Sequence, residues 1–506
     1  MKNDTLKIII DLFIYLLLLP FVGISFILTN LTNDTRIFLG ASSVANNYYQ
    51  LPFGWDAAYE VKPIGNRILN WVFYKVADTF VPMIHNYYVP FGWFVKFTAL
   101  VILVICCLYI ASRIKFPYAF PILFCAFACQ ANFGIMMSEW FSVLFSLVAV
   151  AMCFEKNKNW MILAGVIMLG VGLLKSITVL MVIPSICAVY MLGGTIEWKR
   201  AIGGYLAAGF AFLALCFTVW PYSIGDMIMS RLIAHAGMYG FKTMATYFWI
   251  TQNEILWGLP VVMSMYIPIL VVGFLAALWC LGKYIVKKDN RMILLTIGIW
   301  IIPIIIVFVQ SEYIVYHYIV CVLPAIVSLI LLLRSSRRKY QFLAASAVYV
   351  LMGYLLINSA FGSFTLYEYT FWHQKETNAD LINSKFDLIN QSSILYLDPG
   401  DAVYYFHANS SCHYITPMPV ERNDYVKWNI SYLPQFKETK DCILRYQGEY
   451  IISDINNGDG KNYYGYWIIN EPEIMDMIHR NYTMVESLSW EIYQEGAREP
   501  RPLGWG

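Results

Sequence analysis

NDTRIFLGASSVANNYYQLPFGWDAAYEVKPIGNRILNWVFYK, residues 33–75, gathers Asp34, Arg36, Asp56, Glu60, Lys62 and Arg67 directly behind the first long apolar run of the chain. Much of the rest of the first hundred residues is compatible with hydrocarbon. Acids and bases collected just past a first span sit at a water interface, either as an ordinary hydrated loop or as the polar part of a site. What the rest of the chain brings to the same level decides between these.

The composition sets the environment. Of 506 residues, 59% are apolar and 13% charged, against ~45–50% and ~25% in soluble globular domains. That is the profile of a polytopic membrane protein. A net charge of +2 is too small to argue for nucleic acid or a strongly acidic partner. Aromatics reach 17%, with 37 Tyr and 16 Trp, which suits membrane interfaces and sugar handling alike. No cleavable signal peptide is evident. Nine of the eleven cysteines lie in apolar runs, where Cys acts as a small core residue, and no Cys/His spacing typical of zinc occurs. Cys412 and Cys442 stand in the polar C-terminal part and could pair if it faces an oxidising compartment.

A bilayer span needs roughly 20 mostly apolar residues. Such stretches occur at about 8–29, 91–111, 117–135, 138–154, 160–174, 176–192, 201–220, 258–281, 293–309, 316–333 and 341–360. The pieces at 160–174 and 176–192 are short and meet at Lys175, as a re-entrant pair or as two tilted helices. Lys2 and Lys7, then Arg113 with Lys115, Lys156 with Lys158, Lys199 with Arg200, the 283–291 cluster and the 334–339 cluster fill every second loop. The positive-inside rule then puts the N-terminus in the cytoplasm and the C-terminus outside. The outer face receives three hydrophilic regions: 30–90, 221–257 and 361–506. Within the first, IGNRILNWVFYKVADTF has apolar residues at helical spacing and is expected to lie flat on the membrane surface. In the third, a helix around 374–390 precedes β-like runs at 394–398, 402–408, 413–418, 449–454, 466–470 and 490–495. The expected fold is a polytopic α-helical membrane bundle of about eleven spans over residues 1–360, followed by a small extracytoplasmic α/β domain over 361–506.

Four groups of residues can carry chemistry. Asp34, at the outer exit of the first span, is placed to act as a general base toward a hydroxyl, or to cap a following helix. Lys62 and Arg67 flank a Pro/Gly turn that opens a helix, which reads as a phosphate site or as cations snorkelling to headgroups. Glu139 and Lys175 are charges stranded in apolar surroundings at one level, as an ion pair holding the bundle or as a site shared with Asp34 and a phosphorylated ligand. The corner from Gln310 to Tyr318 presents Tyr313 and His317 on the same side, where an aromatic belt is the simpler explanation.

Together these residues resemble the GT-C superfamily of membrane glycosyltransferases, in the branch of protein O-mannosyltransferases and lipid A aminoarabinose transferases. Asp34 stands where that branch has an acid after its first span. Glu60-Val61-Lys62-Pro63-Ile64 resembles its Glu-x-His/Lys-Pro-Pro pattern, with Ile64 in place of the second proline. Ser138-Glu139-Trp140 resembles its acid opening the fourth span, Lys175 its lysine after a glycine-rich run, Tyr313 to Pro324 its Tyr/His corner, and ILYLDPGDAVYYF the first strand of its outer domain. The resemblance implies an inverting transfer of a sugar from a polyprenyl-phosphate donor to a protein, lipid or glycan acceptor at the outer face. Asp34 would be the base, with Asp56 and Glu60 beside it as catalytic residues. Lys62, Arg67 and Lys175 would hold the donor phosphate, and Glu139, Tyr313 and His317 the substrate. No cofactor is required, and a divalent metal is not indicated. A transporter or flippase for a lipid-linked or polar solute is the rival reading; it would be marked by two similar halves with broken helices, and no such halves are visible.

The basic loops make the topology testable. A reporter active only in the cytoplasm should be active when fused after Lys339 and silent when fused after Gly506; an active fusion at Gly506 would reverse the assignment of the outer face.

Overall fold

Charge-poor runs of Leu, Ile, Val and Phe become helices because only a helix satisfies its own backbone in hydrocarbon. A computed structural model describes residues 19–28, 39, 64–80, 89–116, 118–128, 136–219, 269–310, 315–335, 366–388, 394–397, 402–406, 411–412, 434–454, 472–488 and 490–495. The apolar runs within them are helical: α1 (Leu19–Leu28), α2 (Ile64–Phe80), α3 (Val89–Ile114), α4 (Ala119–Ala128), α5 (Ser138–Met152) and α6 (Trp160–Leu174). A 3-10 turn, Ser176–Met181, continues into α7 (Val182–Met191), followed by α8 (Trp198–Val219), α9 (Ile269–Val286) and α10 (Asn290–Gln310). A second 3-10 segment, Val315–Cys321, leads into α11 (Val322–Ser335). The expected span at 341–360 and the outer region 221–257 lie outside the described residues.

Among the described residues four helical spans are long and apolar enough to cross a membrane: Phe94–Ile114, Ile269–Val286, Asn290–Val307 and His317–Ser335. The last is central, with 72% of its span buried by protein against 28% for Asn290–Val307. α5 is an inner helix as well, since every residue but Phe145 is buried. Its Trp140 donates its indole N–H to Phe127 O of α4 at 3.0 Å, while Phe141 packs on Phe73 of α2 with ring centroids 5.5 Å apart.

One sequence reading changes here, and one left open takes a definite form. The α2 helix was expected to lie flat on the membrane, and its apolar stripe is instead covered by protein: Phe73, Tyr74 and Ala77 are buried, as are Asn66 and Asn70. Helical periodicity records that a face is buried, not what buries it. The two short pieces meeting at Lys175 form a hairpin. Thr178 reaches back to Val171 O, and at the far end a Cβ on Gly194 would lie 2.9 Å from the Phe154 ring that precedes α6.

Close helix crossings are made possible by glycine. A Cβ at Gly165 of α6 would lie 2.0 Å from Ala201 O, and one at Gly204 of α8 2.0 Å from Ile162 O, so the two helices touch backbone to backbone. The Lys175-distal end of the bundle is tied by Arg334, whose guanidinium donates to Leu192 O at 3.3 Å and to Ile114 O, capping the ends of α7 and α3. There Arg113 also meets Glu155 at 2.6 Å. Loops that the charge pattern assigns to one side of the membrane are thus at one end of the bundle.

Beyond the bundle come α12 (Leu366–Phe386), β1 (Leu395–Leu397), α13 (Ala402–Phe406), α14 (Pro434–Leu444), β2 (Tyr450–Asp454), α15 (Pro472–Asn481), β3 (Tyr482–Ser487) and β4 (Trp490–Glu495). The sheet order is β1-β2-β4-β3, with β1 parallel to β2 and the other pairs antiparallel; Leu395 faces Ile451, and Ile452 faces Ile492. Alternation puts Leu395, Leu397 and Ile451 in one cluster with Ile474 and Ile478 of α15, and Tyr396 and Ile452 in the other. AVYYFHA, read as a strand, starts with the helix α13, in which Ala402 and Tyr404 to Phe406 are all buried. A five-residue apolar run does not distinguish the two states. Cys412 and Cys442 are disulfide-bonded, with Cα atoms 5.9 Å apart. Lys385 of α12 bonds Glu486 of β3 at 2.8 Å and holds that carboxyl below its usual range.

The glycine crossing gives a paired test. Gly165→Ala must push α6 and α8 apart and should lower the melting temperature in detergent, at a cost of roughly 1–3 kcal/mol for an overpacked contact. Gly170→Ala, where a Cβ meets nothing within 4 Å, should be neutral or stabilising by up to about 1 kcal/mol from helix propensity.

Candidate functional site

Glu139 is the second residue of α5. The preceding Met137 offers no side-chain cap, and Met136 has φ 67°, a left-handed conformation that methionine rarely adopts. The first-turn N–H groups of α5 and its dipole therefore favour an anion, which Glu139 supplies. Its side chain has no exposed surface, and Oε2 accepts from Ser138 Oγ at 2.8 Å. A carboxylate in such a place costs several kcal/mol unless a cation meets it.

Lys175 is that cation. α6 ends at Leu174, Lys175 is extended (φ −153°, ψ 128°), and the 3-10 turn starts at the next residue. The ammonium thus leaves from the C-terminal, carbonyl-rich end of α6, where a cation is favoured, and donates to Glu139 Oε1. Thr178 holds the break in place, its hydroxyl lying 2.6 Å from both Val171 O and Lys175 O, and Ser142 of α5 joins it at 3.2 Å. From the 3-10 segment before α11 comes His317, with Nε2 3.3 Å from Lys175 Nζ and 3.5 Å from Glu139 Oε1. That nitrogen accepts from the ammonium in one tautomer and donates to the carboxylate in the other. Of the three side chains, Lys175 is 18% exposed, against 0% for Glu139 and 3% for His317, so the cluster opens at its cation.

The structure therefore brings together Glu139, Lys175 and His317 from three separate elements. Arg67 stands in the first turn of α2, next to Asn66. A Cβ at Gly65 would lie 2.6 Å from the backbone of Leu173, so the start of α2 rests on α6 two residues before Lys175. Asp34, Asp56, Glu60, Lys62 and Tyr313 lie outside the described residues. Sequence reasoning met Ser138 only as a neighbour of Glu139 in a motif, and it passed over Ser142 and Thr178, whose hydroxyls help knit the site, and the buried pair Asn66 and Asn70. The advance signal for Ser142 and for the asparagines is polar spacing of four within apolar helices, and Thr178 has none of this kind. Among the described residues, no group of three or more His, Cys, Asp and Glu side chains could hold a metal ion. An ammonium, a carboxylate and an imidazole at one partly open point can recognise an anion and hold a proton between them.

Among solved structures, the chain is similar to the crystal structure of ArnT from Cupriavidus metallidurans in the apo state, with a TM-score of 0.54 and 9% sequence identity, covering 97% of this chain and 98% of that one. No protein-family model matches the chain, and no curated protein matches its sequence. At this identity the likeness is one of fold: the chain shares the overall fold of that structure along nearly its whole length.

The burial of Glu139 makes the cluster's stability testable. Lys175→Met leaves a buried carboxylate without its cation and should destabilise by roughly 3–5 kcal/mol. Glu139→Gln in the same chain should restore most of the loss, read as melting temperature in detergent. Equal destabilisation of single and double variants would show that the pair does not organise this end of the bundle.

Proposed function

We propose that the chain is a glycosyltransferase that moves a sugar from a polyprenyl-phosphate-linked donor to a protein, lipid or glycan acceptor at the outer face of the membrane, with inversion. The observation that carries this reading is the meeting of Glu139, Lys175 and His317 at one end of a bundle with the fold of ArnT, an aminoarabinose transferase of the GT-C family. The outer placement is supported by the basic loops at the opposite end and by the Cys412–Cys442 disulfide, which suits an oxidising compartment.

In this reading the acceptor's O–H or N–H gives its proton to Asp34, and the freed electron pair attacks the anomeric carbon. The bond from that carbon to the phosphate oxygen breaks, and the lipid phosphate departs with the electrons. Lys175, with Lys62 and Arg67, holds the charge that develops on it, which is the larger share of catalysis when an oxyanion leaves. Glu139 fixes the position from which the Lys175 ammonium is shared with phosphate. Asp56 and Glu60 position the acceptor, and His317 and Tyr313 contact the sugar. The polar outer regions and the 361–506 part supply the acceptor side.

Membranes containing the protein should transfer label from polyprenyl-phosphate sugars to an acceptor fraction. Asp34→Asn keeps size and capping ability but removes the base, so turnover should fall by about 10²–10⁴ at normal abundance. Asp56→Asn should be milder. Loss of activity with Asp56→Asn but not Asp34→Asn would move the base to Asp56. Labelled lipid that crosses the bilayer without being cleaved would make the protein a carrier.

A further inference from the structure

Asn66 carries an unused hydrogen-bond donor in an informative place. Its side chain is fully buried, and Asn70, one turn on, is 2% exposed. Asn70 Nδ2 donates to Asn66 O at 2.8 Å and to Asn66 Oδ1 at 3.2 Å. This fixes the Asn66 amide with its oxygen occupied, and its Nδ2 has no hydrogen-bond partner among the described residues. Buried amide donors are rarely left unpaired, because an unmade bond there forfeits hydration without replacement.

Location tells what completes it. Gly65 rests against Leu173, two residues before Lys175, and Phe73, two turns further on, packs at a tilt on Phe141, two residues after Glu139. Asn66 and Asn70 are buried on the face of α2 that carries Phe73, so their amides stand on the side of the helix turned toward the start of α5, where Glu139 meets Lys175. Asn66 also belongs to the first turn of a 17-residue helix, whose N–H groups and dipole favour an anion.

We propose that Asn66 is a ligand-binding residue of this site, its side-chain N–H donating to a phosphate oxygen of the lipid phosphate held by Lys175. This rests on the reading of the cluster as a lipid-phosphate site. The neutral amide adds a directed bond without adding charge, and so sets where the phosphate sits against an ammonium already shared with Glu139.

The test uses the full chain in detergent, with decaprenyl phosphate as probe, decaprenol as its phosphate-free control and phosphatidylglycerol as a competing headgroup. Wild type should bind decaprenyl phosphate more tightly than decaprenol. Asn66→Leu should weaken the phosphate form about tenfold or more and leave decaprenol unchanged. Asn66→Asp, which keeps the bond from Asn70 but presents a carboxylate, should weaken it further, and it carries the measurement if the Leu variant does not fold. If both variants bind like wild type, a buried water completes the amide and the inference is overturned. It is also overturned if phosphatidylglycerol displaces the probe at equal concentration, which would make this a headgroup site. The Glu139→Gln/Lys175→Met variant separates the two levels. Should it bind decaprenyl phosphate like wild type, the lipid-phosphate reading itself fails; should it bind weakly while Asn66→Leu binds normally, only the role of Asn66 falls.

Discussion

A carboxylate with no exposed surface among apolar helices is tolerable only if a cation comes to it, and Glu139 is met by Lys175. This contact joins groups 36 residues apart in the chain, and His317, 142 residues beyond Lys175, closes on the same point. Each element is interrupted to allow it. α5 begins just before Glu139, α6 stops just before Lys175, and α11 is preceded by a 3-10 segment that delivers His317. The anion sits at a helix start and the cation at a helix end, so both dipoles favour the pair. One register among three helices follows from one ion pair, which is the best-attested use of buried charge.

The two ends of the bundle are held by different chemistry. At one, Arg334 spends its donors on the backbone carbonyls of Ile114 and Leu192, and Arg113 pairs with Glu155. Those bonds close helix ends and leave little to do but hold them. At the other, side chains bond side chains, hydroxyls brace a broken helix, and a cation is partly open. On the proposed function the same groups there serve stability and chemistry, so substitutions at Glu139 or Lys175 would change both together.

Much of this was legible in the sequence, for physical reasons that can be named. Glu139 and Lys175 stood out because a charge inside an apolar run is expensive, and the break at Lys175 showed as two short runs meeting there, legible as a re-entrant pair or as two tilted helices. His317 was visible only as part of a polar corner. Ser142 and Thr178 were not, since hydroxyls that bond nearby backbone carbonyls are common and cheap in apolar segments. The α2 helix was recognised from its period, but its buried face was given to lipid when Phe73 and Ala77 pack on protein. The α13 run was read as a strand because five apolar residues fit either state. The Cys412–Cys442 bond was readable only as a possibility, since separation in the chain says nothing of distance in space.

The shortness of α5 and α6 has a consequence for the bilayer. Each has 15 residues and so extends about 22 Å, against a hydrocarbon layer of ~30 Å. At one end both run into charge, through Glu155, Lys156 and Lys158, which belong at the headgroup level. Measured from that anchor, the opposite ends fall roughly 8 Å short of the far headgroups. α5 is enclosed by protein, so the shortfall meets lipid at α6, whose Ile162, Leu163 and Val166 are exposed; a membrane beside α6 therefore thins, or lets water down to the level of Lys175. Mismatch of this kind is paid by the lipid rather than by the protein, so a thicker bilayer would strain the surroundings of α6 before it strained the longer spans.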